Sequence, residues 1–418
     1  MRKPTSSMRA GGGMPVVVID NGGGNLKVGI GGEASPRSVF SNCSAKAKGE
    51  RAQLIGDMLA DHKEISQLAV KRPMDRGYLV NFDLEREIWG RCFRSVLKVN
   101  PADAGMLLTE PLFNFPSVQA ATEQIAFEEF GVASFYQAPA PLFSLRRAAQ
   151  LYPTVLANQA GCGIVVDAGF SFTHAVPFFN GQLLLGATKR INVGGKALTN
   201  YFKELVSYRS LNMMDETVLM DHIKDQVCFV SQSVKADLML SKAGRRSPYF
   251  REYVLPDGVN SFRGFVREPP EPGAALVAPT EAAKQEQVLQ LNNERFMVPE
   301  LLFSPSDISL QQAGVAEAVV QAVSSAHAAL RPLLYTNVIL TGGLCACPGF
   351  SKRFRSELRP LVPDTFDLGV CAPPQPANTA WEGMSAFVAG GEYAEVAMTK
   401  AEYEETGGSA SRMRDQRS

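Results

Sequence analysis

A two-lobed α/β chain folded around a central cleft is predicted by three observations. The chain has 418 residues, more than one ordinary hydrophobic core accommodates. An apolar strand, an Asp, a glycine turn and a returning strand occur twice, at Val16–Ile30 and at Gly163–Phe178. A third apolar strand, Asn337–Leu340, runs into Thr341-Gly342-Gly343. The repeat marks an internal duplication, with Asp20 in the first copy and Asp167 in the second.

The elements follow in order. Met1–Gly13 is small and basic and reads as disordered. The first hairpin is VVVID, NGGG, NLKVGI. Residues 42–72 are polar and basic with helical tendency, Ile55, Met58, Leu59 and Ile65 falling at loose helical spacing. Tyr78–Phe82 is a short strand. Glu85–Leu97 carries Ile88, Trp89, Cys92, Phe93 and Val96 on one face and reads as an amphipathic helix. Met106–Thr109 is a strand. Ser117–Phe130 is a helix with Ser117 as its cap and Gly131 behind it. After the second hairpin, Leu198–Tyr208, Glu216–Val230 and Ala313–Ala329 read as helices. Phe350–Leu358 is another, with Ser351 as its cap. Residues 261–290 contain REPPEPGAALVAPTEAAKQEQ and read as an exposed, mobile insertion. Glu402–Glu405 reads as an exposed terminal helix.

Composition narrows the function. Hydrophobic residues make up 45% and charged residues 20%, a globular balance, and Lys plus Arg equals Asp plus Glu at 42 each. An evenly charged chain exerts no bulk attraction on nucleic acid or anionic membrane. No apolar run is long enough to span a bilayer, and an intracellular protein is expected. The seven cysteines are scattered. Only Cys345 and Cys347 lie close, and they have no second pair at zinc-site spacing.

The glycine turns carry the chemistry. Glycine lets backbone N–H groups approach an anion. In the first turn these are Gly22, Gly23 and Gly24, following Asn21; Gly169 stands in the second and Gly342–Gly343 in the third. Asp20 and Asp167 can hold a hydrated Mg²⁺, and Lys27 can reach a phosphate. Two such turns facing each other would clamp a triphosphate. The sequence has no G-x-x-x-x-G-K-[ST], and its first turn runs strand to strand, against a dinucleotide fold. His174 reads as a structural histidine of the cleft wall, with a proton relay as its alternative. Trp89 and Trp381 read as core.

DNGGGNLKVGIGG (Asp20–Gly32), RGYLVNFDLEREIW (Arg76–Trp89), LLTEPLFN (Leu107–Asn114) and GIVVDAGFSFTHAVP (Gly163–Pro177) resemble the actin family. So do YVLPDG (Tyr253–Gly258), NERFMVPELLFSPSDI (Asn293–Ile308), LTGGLCACPGF (Leu340–Phe350) and TKAEYEETG (Thr399–Gly407). The match runs in order through nearly the whole chain. GYLVNFDLEREIW and VPELLFSPSDI resemble most the nuclear actin-related proteins of the sixth class.

The resemblance implies the actin-like ATPase fold. Residues 14–41, 73–147 and 379–418 would form the base of one lobe and 42–72 its outer subdomain. Residues 148–193 and 311–378 would form the base of the other lobe, and 194–310 its outer subdomain. It implies ATP or ADP with Mg in the cleft, held by Asp20, Asn21, Gly22, Gly23, Gly24, Lys27, Asp167, Gly169, Gly342 and Gly343. Lys224 and Asp225 would stand at the base and ribose. Asp20 and Asp167 would meet the metal through water. Several polar partners of the family are missing. Gly23 stands in place of a phosphate-binding Ser, Phe170-Ser171 in place of Asp-Gly, and Ala377 in place of a Lys beside adenine. Ala140 stands near the water-orienting Gln, with Gln137 offset by three residues. Weak or trapped nucleotide without turnover is expected, and no catalytic residue is assigned.

The implied role is a structural subunit of a nuclear chromatin remodeller that exchanges a core nucleosomal histone for its variant. The implied partners are a Swi/Snf-type ATPase, a small zinc-binding subunit and, through the complex, the nucleosome. Asp307 lies in the loop matching the apolar plug of actin filaments, and burying an unpaired charge is costly, so no homo-filament is expected. A slow ATP-driven switch and a cytoskeletal filament protein are the other readings.

Overall fold

The computed structural model describes residues 13–49, 51–153, 161–259, 261–267 and 286–406. The expectations for 1–12 and for the center of the insertion, 268–285, lie outside these residues.

Two sheets of one design form the bases of the lobes. In the first, Val16–Asn21 pairs antiparallel with Asn25–Ile30, which pairs with Ser38–Ser41. On its other side Val16–Asn21 runs parallel to Gly105–Glu110, and that strand runs parallel to Ser134–Pro139. In the second sheet, Gly163–Ala168 pairs antiparallel with Thr173–Phe179 and parallel with Val338–Thr341, which runs parallel to Val370–Cys371. Lys189–Ile191 takes the place that Ser38–Ser41 has in the first. The registers coincide as well: Asp20 lies opposite Lys27, and Asp167 opposite His174. The duplication seen in the hairpins therefore extends through both sheets.

The central strands VVVID and GIVVDA are almost wholly buried, as near-continuous apolar strands covered on both faces must be. Trp89 and Phe93 fill the core of the first lobe and Phe202, Phe350 and Phe354 that of the second. The helices Ala140–Leu151 and Thr379–Ala389 pack on each other where the lobes join. Trp381 Nε1 donates to Val18 O at 3.1 Å and pins the second of these helices to the first sheet. Both tryptophans are fully buried.

Several local expectations change. Residues 42–72 form a three-stranded sheet of Ser44–Ala47, Leu54–Ile55 and Leu68–Lys71, and only Asp57–Asp61 is helical. Alternation wins there: Cys43, Ala45 and Leu68 form a small buried cluster with Leu59. The helix expected from Glu85 begins at Phe82, capped by Asn81, and turns π-helical over Cys92–Leu97. Neither Ser117 nor Ser351 caps a helix: Pro116 opens one and Gly349 precedes the other.

The insertion is narrower at its described ends than 261–290. Phe265–Arg267 and Val288–Leu291 flank Arg251–Val254 in a sheet, and Leu289 and Leu291 are fully buried. Apolar alternation at 288–291 was masked by the polar run before it, and deleting the whole of 261–290 would remove part of a core.

Candidate functional site

Between the two hairpins lies a cavity of about 510 Å³. Every residue expected at the cleft lines it: Asp20, Asn21, Gly22–Gly24, Lys27, Asp167, Gly169, Lys224, Asp225, Gly342 and Gly343. The strand ends deliver them. Asp20 ends the buried part of its strand, Asp167 is the half-buried next-to-last residue of the corresponding strand, and Thr341 pairs with Asp167 from the neighboring strand.

The two carboxylates differ in their surroundings. Lys27 Nζ donates to Asp20 Oδ2 at 2.6 Å, and Thr109 Oγ1 donates to Oδ1 at 3.0 Å. Thr109 in turn accepts from Asn21 N at 2.7 Å. Asp167 has no hydrogen-bond or ion-pair partner among the described residues. Burial, and then the Asp20 charge, push its carboxyl up to about 6. Two acidic groups thus face one cavity, one of them without a partner among the described residues; carboxylate oxygens are the ligand type a hard cation takes.

The third turn fits close against the second. Gly342 has φ +91°, and a Cβ there would stand 2.4 Å from Ala168 O and 2.8 Å from Asp167 Oδ1. Only glycine is accommodated. Gly343 faces open space.

At the far wall Lys224 is bound within the protein. Its Nζ donates to Asp221 Oδ1 at 2.5 Å and to Thr199 Oγ1 at 3.0 Å, and Asp225 Oδ1 lies at 3.5 Å. The ammonium is thus fixed chiefly by Asp221, and Asp225 is the freer of the two acids, its side chain 71% exposed. Gln137 points elsewhere, donating to Gln119 O, whereas Ala140 and Ala377 line the cavity. Burial and the Arg190 guanidinium hold His174 down at about 4. It is neutral near pH 7, its ring edge-on to Phe172 at 5.7 Å.

The turns also meet each other. A Cβ on Gly24 would stand 2.7 Å from Phe170 Cβ, and one on Gly23 2.7 Å from Ser171 Oγ. The Arg72 guanidinium stacks over the Phe170 ring at 4.4 Å and donates to Gly24 O at 2.8 Å. Among the described residues, the N–H groups of Gly22, Gly23 and Gly24 donate no hydrogen bond outside their own hairpin.

Sequence reasoning missed Thr109, Arg72 and Asp221. Thr109 had a signal, since a Thr ends both parallel strands, at 109 and at 341. Arg72 had none, because its partners are remote in sequence; Asp221 had one, the i,i+3 spacing to Lys224 on the same helix.

The family model named Actin matches residues 11–416. The chain belongs to the actin family. Among curated relatives, "Actin-related protein 6" of Arabidopsis thaliana is 43% identical, with 96% of this chain and 99% of that protein covered. The protein of the same name from Oryza sativa subsp. japonica is 42% identical, with the same coverage. That from Drosophila melanogaster is 37% identical over 94% of this chain and 97% of its own length. The fold is accordingly the actin-like, two-lobed one.

Proposed function

We propose that this actin-family chain is a non-filamentous structural and interaction subunit of a nuclear chromatin remodeller. Its complex exchanges a core nucleosomal histone for its variant, and the chain docks beside a Swi/Snf-type ATPase and a small zinc-binding subunit. The single observation that carries this reading is the cleft: it keeps the family's carboxylates and glycine turns but has an alanine near the place of the water-orienting glutamine. Ala140 has no hydrogen-bonding side chain, and Gln137 is turned away. A family member built this way keeps the fold as a platform.

The donor set fits a bound adenine nucleotide with Mg²⁺. Asp167, unpartnered and pushed up to about 6 beside Asp20, gains most from a nearby cation. Asp20 and Asp167 would hold the metal through water, Lys27 and the amides of Gly22–Gly24 the phosphates, and Gly342, Gly343, Lys224 and Asp225 the nucleoside. The nucleotide would supply anionic charge bridging the two turns. The protein's own residues do the rest: Lys27 and Thr109 orient Asp20, Asp221 fixes Lys224, and Phe170 narrows the phosphate end.

The loop Pro305–Ile308 supports a monomer. Asp307 is exposed, while Ile308 and Leu310 turn inward against the second core, so the loop offers no apolar tip for a neighboring subunit.

The test is affinity purification of the tagged full chain from nuclei, with mass spectrometry of what accompanies it. A remodeller ATPase and a small zinc-binding protein are expected. Recovery with cytoskeletal proteins, or a purely cytoplasmic distribution, would overturn the assignment.

A further inference from the structure

We propose that residues 60–72 are a strap that closes the mouth of the cleft across both lobes without any ligand. This deepens the reading above only in naming what would retain a bound molecule; the closure itself stands on contacts within the chain.

The strap leaves the outer sheet of the first lobe and is anchored in the second. Ile65 is 6% exposed and is packed into the second lobe's core with residues such as Leu219 and Ile223. Val218, from the second lobe, packs in return against the cluster of Cys43, Leu59 and Leu68. Hydrogen bonds flank this exchange. Arg263 Nη2 donates to Ala60 O at 3.1 Å and to His62 O at 3.3 Å. Gln67 N donates to Glu216 Oε2 at 2.8 Å from a left-handed backbone, φ +54°. A non-glycine residue keeps that conformation only where its surroundings fix it.

Deeper in, Arg72 forms a second closure. It is tied to Gly24 O in the first lobe and stacked on Phe170 of the second. Arg72, Phe170 and Asp221 stand between the inner cavity and an outer one of about 1150 Å³. A molecule passing from the inner cavity to the outer one must part them. Apolar burial within the chain holds the lobes together here.

Native thiols give the readout, because Cys347 lines the inner cavity while Cys92 and Cys162 lie buried in the lobe cores. Full-length protein, stripped of nucleotide with apyrase and desalted, is treated with N-ethylmaleimide, and modification is mapped by mass spectrometry. Losing the Ile65 anchor in Ile65→Asp should speed modification of Cys347 roughly 10- to 100-fold, leaving Cys92 and Cys162 unreactive. Arg263→Ala should give a smaller, equally selective rise. Equal Cys347 rates in wild type and both variants would overturn the strap. If Ile65→Asp exposes all three thiols it has unfolded, and Arg263→Ala decides: a selective rise supports the closure and no rise refutes it. A parallel arm with Mg-ATP asks only whether Cys347 gains protection. Its failure would count against nucleotide binding and leave the strap untouched.

Discussion

The two hairpins share a backbone and differ in charge. In both, an Asp near the strand end faces the cleft, opposite the third residue of the returning strand in the first copy and the second in the other, with a Thr on the parallel neighbor. In the first copy the cross-strand partner is Lys27, and Thr109 completes the shell of Asp20. In the second it is His174, kept neutral by burial and Arg190, and Thr341 bonds to Pro376 O instead. The first hairpin is electrostatically complete by itself; the second leaves Asp167 to be completed from outside. Duplication thus fixed the geometry, and a few side chains divided the roles.

The comparison breaks most severely if Asp20 loses its partner. Lys27→Met leaves a buried carboxylate unpaired and should cost about 3–5 kcal/mol near pH 7. Chemical denaturation measures it. A loss no larger than that of an exposed lysine would show that Asp20 never depended on Lys27.

The third turn sharpens the contrast. Gly342→Ala, at φ +91° and against Ala168 O, should cost about 2–4 kcal/mol, from backbone strain and the clash together. Gly343→Ala next to it faces open space and should stay within ~0.5 kcal/mol of wild type. Equal losses at the two positions would mean that the third turn relaxes freely.

Asp167 gives a pH signature opposite to that of a paired acid. Its folded-state value, about 6, lies above the ordinary Asp value of 3.8. Stability without ligand is therefore full below about pH 4 and falls as pH rises toward 6. Asp167→Asn removes this fall and should be more stable than wild type at pH 8 by about 1–3 kcal/mol, with little difference at pH 4. Glu85, fully buried beneath the first turn and pushed up to about 7, should act the same way over pH 4.5 to 7. Glu85→Gln flattens that window. Thermal melts across pH read both, and an Asp167→Asn protein less stable at pH 8 would mean that the ionised carboxylate has a partner.

The smallest expected effect is on assembly. The wild-type chain should sediment as a monomer in salt that polymerises actin, and Asp307→Leu alone should leave it so, because Ile308 and Leu310 already point inward. Long filaments from the wild type would contradict this.

Much of the fold was legible because local pattern and tertiary demand agree. VVVID and GIVVDA are strands by composition and are buried on both faces. The glycine turns put their Asp residues at strand ends, where a cleft must form. Legibility failed where partners are remote. Glu85 reads as the polar face of a helix, yet it is fully buried, with Asn42 Nδ2 donating to it from another segment. The loose helical spacing in 42–72 gives way to a sheet because Cys43, Ala45 and Leu68 find a common cluster. Phe170 reads as a departure from the family turn, and only Arg72 and Gly24, far away in sequence, show what it packs against. Lys224 lines the cavity as expected, and Asp221, three residues earlier on the same helix, also engages it.

The central claim, a retained cleft without turnover, is tested most directly by denaturing the purified chain, chromatographing what it releases, and then following phosphate release under excess Mg-ATP. ADP or ATP should be released in up to stoichiometric amount, with no steady phosphate production. Steady multiple-turnover hydrolysis, abolished by Asp167→Ala, would contradict it.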